Sequence, residues 1–159
     1  YGADPAQVSA IGLAVAQAHL AEGVLPVVKH MPGHGRSEVD THHDLPTVHA
    51  TAAELQAQDF APFRALNQLP MAMTAHLVFA AYDTKLATQS PAMIKIIRED
   101  IGFGGLLMTD DLNMQALQGT PESSVHATIT DLQHYQRCRV CIPRQKGMAE
   151  EVTVILDER

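Results

Sequence analysis

An α/β fold built on a parallel sheet is predicted by two observations. Short apolar, β-branched runs recur along the chain, and longer segments with helical spacing and capping residues lie between them. The resulting order is helix, strand, helix, strand, helix, strand, helix, strand, helix. A helix-length connection between successive strands is what parallel pairing requires. Alternation alone fits either a segment of a barrel or a doubly wound sheet.

Asp4 before Pro5 reads as an N-cap followed by a first-turn proline, and Val8, Ile11 and Val15 recur at helical spacing up to Gly23, a C-terminal cap. The first strand is predicted at Val24 to Val28. Thr51 with Glu54 forms a capping box ahead of Leu55, and Asp59 and Pro62 break and restart that helix, with Phe63 and Leu66 facing inward. A second strand is expected from Met71 to His76, then a loop from Tyr82 to Gln89. Ser90-Pro91 caps a helix whose Ile94, Ile97 and Ile101 form an apolar stripe ending at Gly102. The third strand, Leu106 to Thr109, runs into Asp110-Asp111. Thr120-Pro121 opens a further helix with Val125, Ile129 and Leu132 on one face. A short strand at Arg139 to Ile142 and a helix carrying Met148, Val152 and Ile155 complete the reading.

With 159 residues, 46% hydrophobic and 18% charged, the chain reads as one soluble globular unit. A net charge of -7 without a basic patch argues against a nucleic-acid partner. No apolar stretch approaches a membrane span, so no membrane partner is expected. Cys138 and Cys141 are too few for a disulfide framework, and a reducing, cytoplasmic setting is expected. The chain opens on Tyr1 directly into a helix start, so an incomplete chain is expected, and since a full eightfold barrel takes about 250 residues it could supply only part of one.

Chemistry concentrates between Lys29 and Pro46. The run Lys-His-Met-Pro-Gly-His-Gly leaves a buried strand and is followed by Asp40-Thr41-His42-His43-Asp44-Leu45-Pro46. Pro32, Gly33 and Gly35 make it a shaped loop, and titratable loops at the carboxyl end of a buried strand are where α/β enzymes hold their chemistry. This stretch resembles the motif of bacterial β-N-acetylglucosaminidases of glycoside hydrolase family 3, the peptidoglycan-recycling type. That family has Lys-His-Phe-Pro-Gly-His-Gly, then Asp-Ser-His at the same spacing and Leu-Pro after it; here Met31 replaces Phe and Thr41 replaces Ser.

The resemblance implies a TIM-type (β/α)8 barrel, with residues 1–159 as the C-terminal portion of one catalytic barrel domain, its later strands and helices only. It implies release of non-reducing terminal N-acetylglucosamine from muropeptide fragments by a two-step retaining route, without a cofactor. Gly105-Leu-Leu-Met-Thr-Asp-Asp-Leu resembles the family's strand end, so Asp110 is the implied nucleophile, although a helix N-cap is the bland reading of its spacing. His42 is the implied acid/base, oriented by Asp40: an imidazole titrates near neutrality, and a carboxylate fixes its tautomer. Lys29 and His30 are the implied sugar-binding groups, and His76, ending the second strand, is a candidate for the same mouth. His34 and His43 read as loop-shaping, Asp111 as a supporting or capping residue, and His19, His126 and His134 as helix-surface residues.

Three other readings compete. A phosphorylase on the same fold would use phosphate as acceptor, and a non-catalytic sugar-binding fragment would only bind. Clustered His30, His34, His42 and His43 with nearby carboxylates also admit zinc, but no His pair has helical ligand spacing with a Glu, so no metal is expected. Cys138-Arg-Val-Cys141 is at most half of a zinc knuckle, and thiols on a short strand are the simpler reading. The resemblance runs from Gly2 to about Leu117 and fades beyond Gly119, where the family's Ala-Gly-Cys-Asp segment is not found.

Overall fold

The computed structural model describes residues 2–37 and 46–111. Helix α1 (Pro5–Ala21) starts as its sequence dictates: Asp4 is extended, and its carboxylate accepts the Ala6 N–H at 3.2 Å. It ends in a Schellman turn. Gly23 adopts φ +75°, its N–H bonds to the Leu20 carbonyl at 3.1 Å, and the Val24 N–H bonds to that of His19 at 2.9 Å. That turn uses Val24, and Pro26 has no N–H for a ladder, so β1 runs Val27–Met31 rather than Val24 to Val28. Of the residues at helical spacing in α1, Val8 and Ile11 are half-buried and Val15 is exposed. Among its residues only Ala16 is buried, while Leu13, Val15 and Leu20 are exposed together with Val24, Leu25 and Val27.

The rest of the described chain repeats one layout. After β1 come a two-residue strand β2 (Thr47–Val48) and α2 (Ala52–Glu54), which widens into a π-helical turn at Leu55–Asp59 before α3 (Ala61–Ala65). After β3 (Met71–Thr74) come β4 (Val78–Phe79), a 3-10 turn at Ala87–Gln89, and α4 (Pro91–Lys95), which widens into a π-helical turn at Ile96–Asp100. Strand β5 (Leu106–Met108) comes next. The expected caps form: Thr51 and Glu54 close a capping box, and Ser90 Oγ accepts the Met93 N–H at 3.1 Å.

Strands β1, β3 and β5 make a parallel sheet in that order, pairing Val28 with Ala72 and Ala72 with Leu107. The register shifts between Val28 and Met31, and the Lys29–His30 and Met31–Pro32 peptide bonds there are cis. Strands β2 and β4, unforeseen from sequence because two residues carry no periodicity, form a second parallel pair. Phe60, Phe79, Leu55, Leu77, Ile94, Ile97, Phe103 and Leu107 join one core, in which the Phe60 and Phe79 rings meet edge to face at 6.0 Å. Among the described residues no helix is long and apolar enough to cross a membrane. The helix, strand and helix expected beyond residue 111 lie outside the described residues.

Candidate active site

A parallel sheet collects the carboxyl ends of its strands on one side, so the residues closing β1, β3 and β5 share a rim. His30 is the last residue but one of β1, His76 lies just past β3, and Asp110 lies past β5 after Thr109. The sheet therefore brings together three of the residues singled out from sequence. His30 Nε2 lies 3.3 Å from Asp110 Oδ2, with both side chains about a quarter exposed (27% and 25%). A carboxylate only accepts, so Nε2 carries the proton and donates. Asp110 Oδ1 accepts the Asp111 N–H at 2.8 Å.

These donors outweigh the cost of desolvation. Hydrogen bonding from His30, the largest influence, holds the Asp110 carboxyl down at about 2; burial opposes it, and the Asp111 N–H and the nearby His30 and His76 rings assist. Asp110 is thus an ionised carboxylate in a half-enclosed place.

His76 is buried, and its ring is fully engaged: Nδ1 lies 2.7 Å from Thr88 Oγ1 and Nε2 lies 3.0 Å from the Asp111 carbonyl. Desolvation lowers its pKa, keeping the imidazole neutral. His76 lies near Asp110, but both of its ring nitrogens turn into the protein. Thr88, which by sequence falls in a loop, is the residue missed here. Its partners Thr74, Ala75 and His76 belong to another strand end, and no local pattern announces such a contact.

Lys29 is exposed in the middle of β1. His34 tilts against His30 with ring centroids 5.2 Å apart, and burial first, then the neighbouring His30, lowers its pKa. The loop root is pinned by Arg36, whose Nε donates to both Asp59 carboxylate oxygens at 3.1 and 2.8 Å and whose Nη2 donates to Gln58 at 2.8 Å. Gly33 leaves room there, since a Cβ would meet that of Asp59 at 3.3 Å with φ at +157°. Lys29, His30, His34 and Arg36 also line a groove of about 810 Å³ between α1, β1 and α3. His42 and Asp40, the expected acid/base pair, and His43 lie outside the described residues.

Residues 1–131 match the model for the glycosyl hydrolase family 3 N terminal domain. The β-hexosaminidase of Neisseria meningitidis serogroup C (strain 053442) is 40% identical over 119 residues, which are 73% of this chain and 33% of that protein. CbsA from Thermotoga neapolitana superposes with a TM-score of 0.77 at 34% identity, over 86% of this chain and 32% of that one. NagZ from Neisseria gonorrhoeae, solved with N-trifluoroacetyl-D-glucosamine, gives 0.72 at 34% identity, over 80% and 38%. The chain spans about a third of the length of the curated β-hexosaminidases of Neisseria that it matches.

Proposed function

The chain belongs to glycosyl hydrolase family 3, with the TIM-barrel-like α/β fold of that domain, and from this premise we propose that it supplies the catalytic part of a retaining β-N-acetylglucosaminidase. Residues 1–159 are read as the later strands and helices of one barrel domain, and the substrate as a muropeptide or disaccharide ending in N-acetylglucosamine. Asp110 attacks the anomeric carbon as the leaving oxygen takes a proton from His42, which Asp40 orients. A covalent glycosyl-enzyme results. His42 then removes a proton from water, whose oxygen attacks the same carbon and expels the Asp110 carboxylate. Lys29 and His30 bind sugar hydroxyls.

The observation that supports this reading is the Asp110 carboxylate held at about 2 at a strand end, with His30 at 3.3 Å. A nucleophile must be ionised at working pH, and a structural cap has no need of a shared imidazole. The test is hydrolysis of an aryl N-acetylglucosaminide by the protein and its Asp110→Ala variant. Turnover should fall by a factor of roughly 10³ or more. A variant with parental turnover would remove Asp110 from the role.

A further inference from the structure

We propose that Thr88 and His76 are positioning residues, holding the Asp111 main chain so that Asp110 is aimed at the substrate. This rests on the nucleophilic role proposed for Asp110. Thr74, His76 and Thr88 are all buried, at 1%, 2% and 0% exposure, and they form a continuous polar chain through the interior. Thr74 Oγ1 and Thr88 Oγ1 are 2.8 Å apart, Thr88 Oγ1 is 2.7 Å from His76 Nδ1, and His76 Nε2 is 3.0 Å from the Asp111 carbonyl.

The direction of every bond is set by what each atom can do. A carbonyl only accepts, so His76 Nε2 carries the proton. A neutral imidazole has one N–H, so Nδ1 is a bare acceptor and the Thr88 hydroxyl donates to it. The Thr88 oxygen can then accept from Thr74. The Ala75 carbonyl, 3.2 Å from Thr88 Oγ1, competes for the same hydroxyl proton but at the longer distance. The chain thus runs Thr74 O–H to Thr88, Thr88 O–H to His76 Nδ1, and His76 Nε2–H to Asp111.

Its end matters for the site because Asp111 works in both directions. His76 holds its carbonyl, while its N–H donates to Asp110 Oδ1 at 2.8 Å. Fixing the carbonyl fixes the turn, and the turn aims one carboxylate oxygen while His30 engages the other. Without the Thr88 hydroxyl, Nδ1 has no donor, and the ring gains by moving its proton to Nδ1 and losing the Asp111 carbonyl.

The test is Thr88→Val, which keeps the shape and removes the hydroxyl, beside Thr88→Ser, which keeps the hydroxyl. With an aryl N-acetylglucosaminide, kcat should fall roughly 10- to 100-fold in Thr88→Val, KM should change less than about threefold, and Thr88→Ser should recover most of the rate. Independently of any substrate, ¹⁵N shifts of the His76 ring should show the Nε2–H tautomer in the parent and in Thr88→Ser, and its loss in Thr88→Val. Parental kcat in Thr88→Val, a loss that Thr88→Ser shares, or an unchanged tautomer would each overturn the proposal. A parent without hydrolytic activity would instead count against the glycosidase reading, and the ring measurement would still decide the positioning chain.

Discussion

His30→Ala should unload the Asp110 carboxylate, and the size of the effect can be worked from the site. The depression from 3.8 to about 2 has His30 as its largest cause, with burial acting against it. Removing the ring leaves burial opposed mainly by the Asp111 N–H and the His76 ring, so the carboxyl returns toward 3.8. The full depression corresponds to roughly 2.5 kcal/mol at about 1.36 kcal/mol per unit. Both side chains are about a quarter exposed, at 27% and 25%, so water screens part of this, and a loss of about 1 kcal/mol near neutral pH is expected. The sign comes from linkage. A carboxyl depressed by folding contributes stability above its ordinary value of 3.8, and that contribution disappears as the pH falls through 2. Parent and variant should therefore differ in urea unfolding near neutral pH and converge around pH 2. ¹³C titration of the Asp110 carboxyl gives the shift directly. A carboxyl still titrating at about 2 in the variant, or stability curves offset equally at every pH, would refute the attribution to His30.

Two packing predictions concern the sheet and join those for Asp110 and Thr88. Leu107→Ala, at a residue 1% exposed in the middle of β5, should cost about 3 kcal/mol in denaturant unfolding; a loss under about 1 kcal/mol would mean that the core collapses around the hole. Gly105→Ala should be costly because a Cβ would sit 2.5 Å from the Pro70 carbonyl oxygen and 2.7 Å from that of Leu69. The Leu106 N–H bonds to that same Pro70 carbonyl at 2.9 Å, so relief of the clash disturbs the start of the β3–β5 pairing. A loss of about 2 kcal/mol or more is expected by thermal unfolding. Gly104→Ala, with nothing within 4 Å, is the control and should stay within about 0.5 kcal/mol.

Much of this architecture is legible from local chemistry. Asp4, Thr51 and Ser90 cap helices because their side-chain oxygens reach backbone N–H groups within the same turn, and such contacts are readable from spacing alone. Strand β5 differs from its expected Leu106 to Thr109 by a single residue, because four apolar or β-branched positions between Gly105 and Asp110 leave little choice. Strand β1 is harder: Val24 and Leu25 are as apolar as Val27 and Val28, and only the Schellman turn and Pro26 decide the start. The rim residues are legible for a different reason. Charged and imidazole side chains at the ends of apolar runs mark a site, and the family motif supplies which runs converge. What spacing cannot disclose is contact across elements. Thr88 beneath His76, and Arg36 bidentate to Asp59, join residues that tertiary folding alone makes neighbours. By sequence Asp59 reads only as a helix breaker, because nothing in its immediate surroundings hints at a cation from the preceding loop.

The repeated layout of strand, short strand and π-widened helix has a consequence for how such a chain can change over evolutionary time. In one copy, β3 passes to β4 through residues 75–77 alone; in the other, β1 reaches β2 only after residues 32–46. Strands β2 and β4 pair in parallel although connections of such different length lead to them, so the framework accommodates a long connection at this point. The histidine- and aspartate-rich stretch is carried in that longer connection. Positions of that connection outside the Asp40 and His42 motif can therefore drift, and substrate preference with them, while the sheet keeps its register.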